Sequence, residues 1–563
     1  MTAPCNIAAA LPRLAAESPD RIAMRCPGGR GPDGMARYDV TLTYGELDAR
    51  SDAIAAGLAA HGVVRGTRTV VMVRPSPAFF LLMFALFKAG AVPVLVDPGI
   101  DKRALRECLD EADSEAFIGV PRAMLARKLL GWASATRVAI TTGARAWFAD
   151  ATLAQVEAAG AGAGPQLQPT AGDEVAAILF TSGSTGVPKG VVYRHRHFLA
   201  QVEMLRRAFG VQPGGVDLPT FPPFALFDPA LGLTSVIPDM DPTRPAQAEP
   251  QRLLDAIARF GVTQLFGSPA LVDVLGRHGE ATGARLPGVQ RVLSAGAPVA
   301  PATVERMSAM LPAEAELWTP YGATECLPVA VIEGRELLRT RAATEAGAGT
   351  CVGRPVAPNK VRIIAIVDAP IAHWRDATEL PAGAIGEITV AGPSATDSYF
   401  NRPQATALAK IREGDAGDDA EHGGHGIVHR MGDTGYLDDA GRLWFCGRLS
   451  QRVVGVDGTL FTEQVEPVFN THAAVRRSAL VGVGARGAQR PVLCVELHPQ
   501  VPRSARTRIA AELHALGQRH AGTRSVQTLL FHPHFPVDIR HNAKIGRERL
   551  AAWAARQLER SAR

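Results

Sequence analysis

One segment rich in hydroxyl and glycine residues is the part of this sequence best suited to chemistry. It consists of Thr181, Ser182, Gly183, Ser184, Thr185 and Gly186, followed after two residues by Lys189. Glycine lets backbone N–H groups approach an anion closely, hydroxyls add donors, and the lysine ammonium adds a positive charge. The apolar residues 175–180 just before it predict a buried strand. The segment therefore predicts a loop that binds a polyphosphate.

The same segment differs from the P-loop of GTPases and kinases. In that motif a glycine precedes the lysine and a hydroxyl residue follows it, whereas here Pro188 precedes Lys189 and Gly190 follows it. A plain loop is the alternative interpretation, because such residues are common in turns. Lysine usage favours the phosphate site, since the chain has seven lysines among 60 basic residues. A second lysine, Lys544, lies in a phosphate-type context near the C-terminus.

These two segments resemble the first and last signatures of the adenylate-forming enzymes, a superfamily of acyl-CoA synthetases, peptide-synthetase adenylation domains and luciferases. The signatures between these two are also resembled, in the same order, by residues 294–298, 321–325, 386–406, 431–435 and 447–448. The resemblance extends from about residue 43 to residue 550. It implies ATP and Mg²⁺ as cofactors and an acyl-adenylate as intermediate.

The resemblance also implies roles for individual residues. Glu325 would carry Mg²⁺, and Lys544, Glu325 and Thr185 would take the catalytic roles. The nucleotide would be bound by Thr181, Ser182, Gly183, Ser184, Thr185, Gly186, Lys189, Gly296, Ala297, Pro298, Tyr321, Gly322, Ala323, Thr324, Asp433 and Arg448. Within that set, Asp433 would accept from the ribose hydroxyls and Tyr321 would offer its ring to adenine. Taken alone, these two residues fit an Asx-turn and a core tyrosine equally well.

Length and composition predict a large soluble α/β enzyme. A chain of 563 residues exceeds what one core usually holds, and 47% hydrophobic with 20% charged residues excludes a disordered chain. The most apolar stretch, residues 79–87, is far shorter than the roughly 20 residues that span a bilayer and predicts a buried helix. We expect a large N-terminal domain of mixed sheets with packed helices at residues 1–449. A smaller, mobile C-terminal α+β domain would occupy residues 450–563.

The charge distribution fits a small domain that closes over an anionic intermediate. Residues 450–563 contain 17 basic and 8 acidic residues, whereas residues 1–449 carry a slight acidic excess. Nucleic-acid binding is the rival interpretation, but the arginines are scattered and not interleaved with aromatic residues. The sequence therefore predicts no nucleic-acid partner.

Cysteine usage and the N-terminus predict a cytoplasmic protein. The seven cysteines form no C-x-x-C pair, which is typical of reduced thiols. The first residues lack the apolar core of a secretory signal, and no transmembrane segment is expected. Residues 157–174 predict a linker and residues 412–426 an exposed, mobile loop. We interpret His422 and His425 in that loop as solvated rather than metal-bound.

The identity of the group that accepts the acyl unit depends on departures from the general superfamily pattern. Ser450 replaces the usual acidic hinge residue, and residues 456–461 differ from the usual loop. Residues 221–229 lack the usual gate histidine, with Ala225 near its place. These features and residues 535–544 resemble the β-lactone synthetase branch of bacterial olefin biosynthesis. The resemblance implies a long-chain 2-alkyl-3-hydroxyalkanoic acid whose own hydroxyl closes the ring, and a possible complex with other enzymes of that pathway.

Two other readings of the sequence stay open. One is a fatty-acyl-CoA or fatty-acyl-AMP ligase, and the other is a non-catalytic nucleotide-binding protein. Residues 221–233 are the predicted acyl pocket. The base for the 3-hydroxyl is not assigned, and His195 and His197 are more consistent with core or surface roles.

Overall fold

The computed structural model describes residues 5–96, 100–144, 148–181, 188–414, 426–537 and 545–561. Its helices begin and end as follows: α1 (Ala10–Glu17), α2 (Tyr44–Ala60), α3 (Pro77–Lys88), α4 (Lys102–Glu111), α5 (Pro121–Leu130), α6 (Leu153–Ala159), α7 (His195–Phe209), α8 (Asp228–Leu231), α9 (Pro250–Phe260), α10 (Pro269–Thr282), α11 (Pro301–Met310), α12 (Gly334–Glu345), α13 (Pro403–Ala409), α14 (Thr462–Asn470), α15 (Arg506–Gln518) and α16 (Arg547–Ser561).

The largest sheet has 14 strands and a parallel centre. Its members in chain order are β1 (Ile22–Cys26), β4 (Val40–Thr43), β12 (Val216–Pro219), β13 (Thr234–Val236), β14 (Gln264–Gly267), β15 (Arg291–Ser294), β16 (Glu316–Ala323), β17 (Cys326–Glu333), β18 (Thr350–Pro355), β19 (Lys360–Ile364), β20 (Gly386–Ala391), β21 (Lys410–Arg412), β22 (Ile427–Leu437) and β23 (Leu443–Arg448). Strands β1, β13, β12, β14, β15 and β16 are parallel neighbours, and from β16 onward the pairing is antiparallel.

A second sheet of seven strands carries the predicted phosphate loop. It is built from β5 (Arg68–Met72), β6 (Val92–Val96), β7 (Ala116–Gly119), β8 (Val138–Thr141), β9 (Ala151–Thr152), β10 (Val175–Thr181) and β11 (Lys189–Arg194). Five of its six pairings are parallel, and only β11 runs antiparallel to its neighbour β10. Short hairpins are formed by β2 (Gly29–Arg30) with β3 (Ala36–Arg37), and by β24 (Val453–Gly455) with β25 (Gly458–Leu460).

The elements that follow Arg448 build separate sheets and cores. Strands β26 (Val475–Val483), β27 (Arg490–Leu497) and β28 (Thr528–Phe531) form a three-stranded sheet, packed with α14, α15 and α16. A mixed α/β fold with a small C-terminal α+β unit was the prediction, and the fold confirms it. The boundary between residues 449 and 450, and the mobility of the smaller part, stay predictions.

The predicted strand and buried helix agree with the structure. The loop predicted at residues 412–426 begins too early, because Arg412 is the last residue of β21, and residues 415–425 lie outside the described residues. The strand expected at residues 175–180 is β10. Helix α3, capped by Ser76 and started by Pro77, contains the predicted buried helix, and Phe79 to Phe87 are all buried. The predicted linker begins too early, because residues 157–159 still belong to α6, which Thr152 and Gln155 cap. No described helix is long and apolar enough to cross a membrane.

Candidate active site

The two ends of the predicted phosphate loop lie side by side on neighbouring strands. Thr181 is the last residue of β10, Lys189 is the first of β11, and the two are cross-strand partners. The loop predicted to cradle the phosphates consequently leaves and re-enters the same edge of the seven-stranded sheet. Ser182, Gly183, Ser184, Thr185 and Gly186 lie outside the described residues.

A distant segment extends the sheet beside Lys189. Phe400 N donates to the Gly190 carbonyl at 2.7 Å, and Val192 N donates to the Ser398 carbonyl at 3.2 Å. These bonds bring the Tyr399 ring next to the lysine, whose Nζ lies 5.0 Å from the ring centroid. Such a distance permits a cation–π contact. Tyr399 is therefore part of the candidate site, although it was not among the predicted site residues.

Glu325 lies at the tip of the hairpin that joins β16 to β17. Gly322 permits this tight turn, because a Cβ there would come within 2.9 Å of the Cys326 carbonyl oxygen. The Tyr399 hydroxyl donates to Glu325 Oε1 at 2.6 Å. Burial, followed by the Glu325 charge, raises the pKa of Tyr399 far above its usual value, so the phenol stays a donor. The other residue of the tip is Thr324, and its carbonyl accepts a hydrogen bond from the Tyr193 hydroxyl.

The Glu325 carboxylate suits a magnesium ion that arrives with a nucleotide. Mg²⁺ in such sites is bound by one or two carboxylates together with substrate phosphates and waters. No cluster of three or more His, Cys, Asp or Glu side chains that could hold a metal occurs in the described part of the chain. Lys189, which contacts the same Tyr399 ring, adds a positive charge at the place where phosphates would lie.

A second carboxylate, Asp433, is held by two predicted site residues. Asp433 on β22 and Arg448 on β23 are cross-strand partners, and Arg448 Nη1 lies 2.8 Å from Asp433 Oδ1. The Tyr321 hydroxyl donates to Asp433 Oδ2 at 2.6 Å. Burial raises the pKa of Asp433 although Arg448 opposes this effect, and the pKa of Arg448 is raised chiefly by Asp433. The structure thus brings Tyr321, Asp433 and Arg448 into one cluster.

The predicted adenine-binding turn follows the neighbouring strand. Gly296, Ala297 and Pro298 come just after β15, which runs parallel to β16 with Leu293 opposite Trp318. Both strands reach the same edge of the large sheet, so the turn and Tyr321 lie near each other at that edge. Gly296 has a φ of +99°, which favours glycine, and the turn is partly exposed.

Of three further predicted site residues, the structure describes Ala323 and Thr324 but not Lys544. Ala323 pairs with Cys326 across the hairpin that carries Glu325, with Thr324 between them. Lys544 lies outside the described residues, as do His422 and His425. The described part of the C-terminal unit contacts the body through Arg452, whose Nη2 lies 2.8 Å from Asp368 Oδ1.

The predicted acyl segment is lined with aromatic side chains. The Phe224 ring lies 4.4 Å from Phe266, and Phe227 lies 6.1 Å from Phe198, which stacks on Tyr193 at 4.5 Å between centroids. Because the Tyr193 hydroxyl bonds to the Thr324 carbonyl, the rings of Phe227, Phe198 and Tyr193 lead to the Glu325 hairpin. Ala225, which stands near the place of the superfamily's gate histidine, is buried in this region.

Neither of the histidines next to the phosphate loop is placed to act as a base. His195 Nδ1 accepts from the Ile7 backbone at 3.2 Å, and burial lowers the pKa of this imidazole to about 4. His197 is fully buried and accepts from Arg194 N at 3.0 Å. Their contacts agree with the expected core roles.

Three residues of the site were not predicted. Tyr399 and Thr396 contact Glu325, Lys410 contacts Thr396, and all three come from the segment between β20 and β22. Lys410 belonged to the small set of lysines, which was the available signal. Its contact with Thr396, 14 residues earlier, depends on tertiary packing that no local pattern encodes.

The chain is similar to one protein family, to two named relatives and to a solved structure. Residues 11–400 match the model of the AMP-binding enzyme family. Over 557 residues the chain is 67% identical to the olefin β-lactone synthetase of Xanthomonas campestris pv. campestris, covering 99% of both chains. It is 66% identical to the protein of the same name from Stenotrophomonas maltophilia, covering 100% of both. An amide bond synthetase from Marinactinospora thermotolerans shares the fold, with a TM-score of 0.75 at 22% identity over 97% of this chain and 99% of that one.

Proposed function

The chain belongs to the AMP-binding enzyme family, and we propose that it is an ATP-dependent, AMP-forming β-lactone synthetase. The identity of 66–67% over nearly the whole length to two olefin β-lactone synthetases carries this proposal. The substrate is a long-chain 2-alkyl-3-hydroxyalkanoic acid, and the products are a β-lactone, AMP and diphosphate. The lactone would then enter olefin biosynthesis.

The first half-reaction is adenylation of the acid. A carboxylate oxygen attacks the α-phosphorus of ATP, the bond to the β-phosphate breaks, and diphosphate leaves. Glu325 would hold Mg²⁺, which, when bound, neutralises and orients the phosphates. Lys189, beside Tyr399, adds a fixed positive charge for the departing diphosphate. Tyr321 and Asp433 hold the nucleoside end of ATP in the same position before and after the attack.

Lys544 has a proposed role in the same half-reaction. We infer that the basic C-terminal unit brings this ammonium to the α-phosphate or the reacting carboxylate when it closes. A preplaced cation at a position where charge develops stabilises the transition state by about 3 kcal/mol, comparable with an oxyanion-hole donor. The excess of basic over acidic residues in 450–563 favours closure onto an anion.

The second half-reaction closes a four-membered ring. The 3-hydroxyl oxygen attacks the acyl carbon, its proton is released, and AMP leaves with the oxygen that it received from the carboxylate. Because nucleophile and electrophile belong to one molecule, no second substrate has to be bound, and proximity lowers the barrier. Ring strain opposes the step and is offset by the mixed anhydride, which is a good acylating agent.

The region proposed for the acid fits two alkyl chains better than a polar acceptor. The aromatic row from Phe224 to Tyr193 leads to Thr324, next to Glu325. Apolar contacts of this kind bind hydrocarbon with little directional constraint. Ala225 cannot supply the hydrogen bonds of a gate histidine, which favours an acceptor carried by the substrate.

We also propose that the protein acts in the cytoplasm, in contact with other enzymes of the olefin pathway. The seven cysteines are free in the structure, and six of them are buried. Thiols of this kind persist in a reducing compartment. A water-insoluble substrate with two alkyl chains favours direct transfer between pathway enzymes.

Mass spectrometry of the product tests the proposal. Purified protein is incubated with Mg-ATP and a long-chain 2-alkyl-3-hydroxy acid, with and without coenzyme A. We expect a product lighter than the acid by one water, formed with AMP and without coenzyme A, and an infrared band typical of a β-lactone. A thioester formed only with coenzyme A would instead identify an acyl-CoA ligase.

A further inference from the structure

Lys410 is a buried lysine beside the candidate active site. It is the first residue of β21 and is 7% exposed. In the described part of the chain no carboxylate lies within ion-pair distance of its ammonium, in contrast to Lys88, which contacts Asp48 and Asp52. Burial lowers the pKa of Lys410 to about 8, against the opposing effect of the Glu325 charge. Burying a cation without a direct partner is costly, so the position calls for a role.

The Lys410 ammonium holds a chain of hydrogen bonds that ends on Glu325. Its Nζ donates to the Thr396 carbonyl and, at 3.2 Å, to Thr396 Oγ1. Thr396 in turn donates twice to the Glu325 carbonyl, from its backbone N at 2.8 Å and from Oγ1 at 3.0 Å. A hydroxyl can donate once and accept at the same time, so Thr396 Oγ1 can make both of its bonds together. Lys410 thus fixes the backbone of Glu325 from two bonds away.

Tyr399 provides a second connection between the two residues. Lys410 Nζ lies 5.9 Å from the centroid of the Tyr399 ring, and the hydroxyl of that ring holds Glu325 Oε1 at 2.6 Å. The ring also contacts Lys189, at 5.0 Å. One aromatic ring therefore joins the buried lysine, the phosphate-loop lysine and the carboxylate. A shift of Lys410 would reach Glu325 through both its backbone and its side chain.

We propose that Lys410 is a positioning residue that fixes the Glu325 carboxylate for the magnesium complex of ATP, acting through Thr396 and Tyr399. This inference rests on the proposed magnesium role of Glu325. It does not depend on lactone formation, because the geometry concerns nucleotide binding alone. Lys410 itself contacts neither the nucleotide nor the acid.

The test measures nucleotide binding without any acid substrate. Isothermal titration calorimetry gives the Kd of α,β-methylene-ATP, which cannot be cleaved at the α-phosphate, at saturating Mg²⁺, and separately the Kd of AMP without metal. Lys410→Met is expected to raise the first Kd about 10-fold, comparable with losing one hydrogen bond to a charged group. The Kd of AMP should stay unchanged, because AMP binding is assigned to Asp433 and Tyr321. Loss of the general fold would weaken both.

Two further variants make the test specific. Thr396→Val breaks the same chain of bonds, and the Lys410→Met and Thr396→Val effects should be non-additive in the double variant, since both act through one path. Thr389→Val is the matched control, because Thr389 is fully buried and its Oγ1 donates to the Arg362 carbonyl at 2.8 Å, away from Glu325. It should lower Tm without changing either Kd.

Each outcome decides the proposal. An unchanged Kd for the magnesium complex in folded Lys410→Met overturns it, as does an equal loss for AMP. If Lys410→Met does not fold, Thr396→Val decides the matter alone. Failure of the parent enzyme to make a lactone would refute the proposed function and leave this result intact. Conversely, Glu325→Gln with unchanged magnesium dependence would remove the premise of the positioning role.

Discussion

The two carboxylates of the candidate site, Asp433 and Glu325, each accept a hydrogen bond from a tyrosine, but they differ in where the neighbouring cations lie. Each accepts a hydrogen bond of 2.6 Å from a buried or half-buried tyrosine, Tyr321 for Asp433 and Tyr399 for Glu325. Asp433 also has a guanidinium at 2.8 Å. The two lysines nearest to Glu325, Lys189 and Lys410, lie against the Tyr399 ring rather than against the carboxylate itself.

That difference separates two kinds of recognition. A carboxylate already neutralised by arginine gains little from a metal ion and is suited to accept bonds from neutral hydroxyls, as a ribose offers. A carboxylate that is oriented by a phenol but lacks a direct cation keeps its charge for a divalent ion. We therefore propose that the same tyrosine–carboxylate arrangement serves sugar binding in one place and metal binding in the other.

The largest effect should come from a residue outside both pairs. Lys544→Ala is expected to slow adenylation by about 100-fold or more, because the variant loses a cation that acts in the transition state. AMP binding, assigned to the Asp433 pair, should be unchanged. Release of diphosphate at the parent rate would contradict the assignment, and circular dichroism of the variant controls for folding.

Exchanging each carboxylate for its amide tests the division between them. Glu325→Gln should lower kcat/KM for Mg-ATP by about 100-fold, or about 2.7 kcal/mol, with AMP affinity unchanged. Asp433→Asn should weaken AMP about 10-fold whether or not magnesium is present. Calorimetry with AMP and steady-state kinetics at varied Mg²⁺ measure both. Equal losses of AMP affinity in the two variants would show that the pairs are not specialised.

Removing each tyrosine hydroxyl should give unequal, smaller effects. Tyr399→Phe takes away the hydrogen bond to Glu325 and should weaken the magnesium complex of an ATP analogue about 5- to 10-fold. Tyr321→Phe should weaken AMP only about 2- to 3-fold, because Arg448 still holds Asp433 in place. A larger effect at Tyr321 than at Tyr399 would reverse the comparison.

The stability that Asp397 contributes near Tyr399 should depend on pH. Asp397, two residues before Tyr399, is contacted by Arg194 and Arg196. Burial alone would raise its pKa, but His197, Arg196 and Arg194 beside the carboxylate outweigh burial and hold the pKa well below its usual range. Its stabilising contribution is therefore present above its unfolded pKa of about 4 and is lost as the pH falls toward the folded value.

Asp397→Asn should accordingly lower the free energy of unfolding at pH 7 by about 1 to 3 kcal/mol. The difference from the parent should shrink below about pH 4, because the carboxylate becomes protonated in the unfolded chain while it stays ionised in the fold. Urea unfolding between pH 3 and pH 8 measures this. A difference that is constant over the whole range would show that Asp397 contributes through packing rather than charge.

The sequence predicted the Asp433 side more completely than the Glu325 side. Tyr321, Asp433 and Arg448 each belong to a recognisable motif, and regular pairing of β22 with β23 brings two of them together. Tyr399, although it lies in the signature-like segment 386–406, reaches Glu325 because residues 398–400 pair along β11, about 200 positions earlier in the chain. Lys410 reaches Glu325 only through Thr396. Long-range strand addition leaves no local pattern, so the resemblance could point to Glu325 but not to what holds it.

Oxygen-isotope tracing tests the central claim, intramolecular ring closure on an acyl-adenylate, most directly. The acid is labelled with ¹⁸O in both carboxylate oxygens in one experiment and at the 3-hydroxyl in the other. We predict that AMP gains one ¹⁸O from the carboxylate, and that the product keeps the 3-hydroxyl label in its ring. A dehydrated product that has lost the hydroxyl label, or AMP without carboxylate oxygen, would contradict the account.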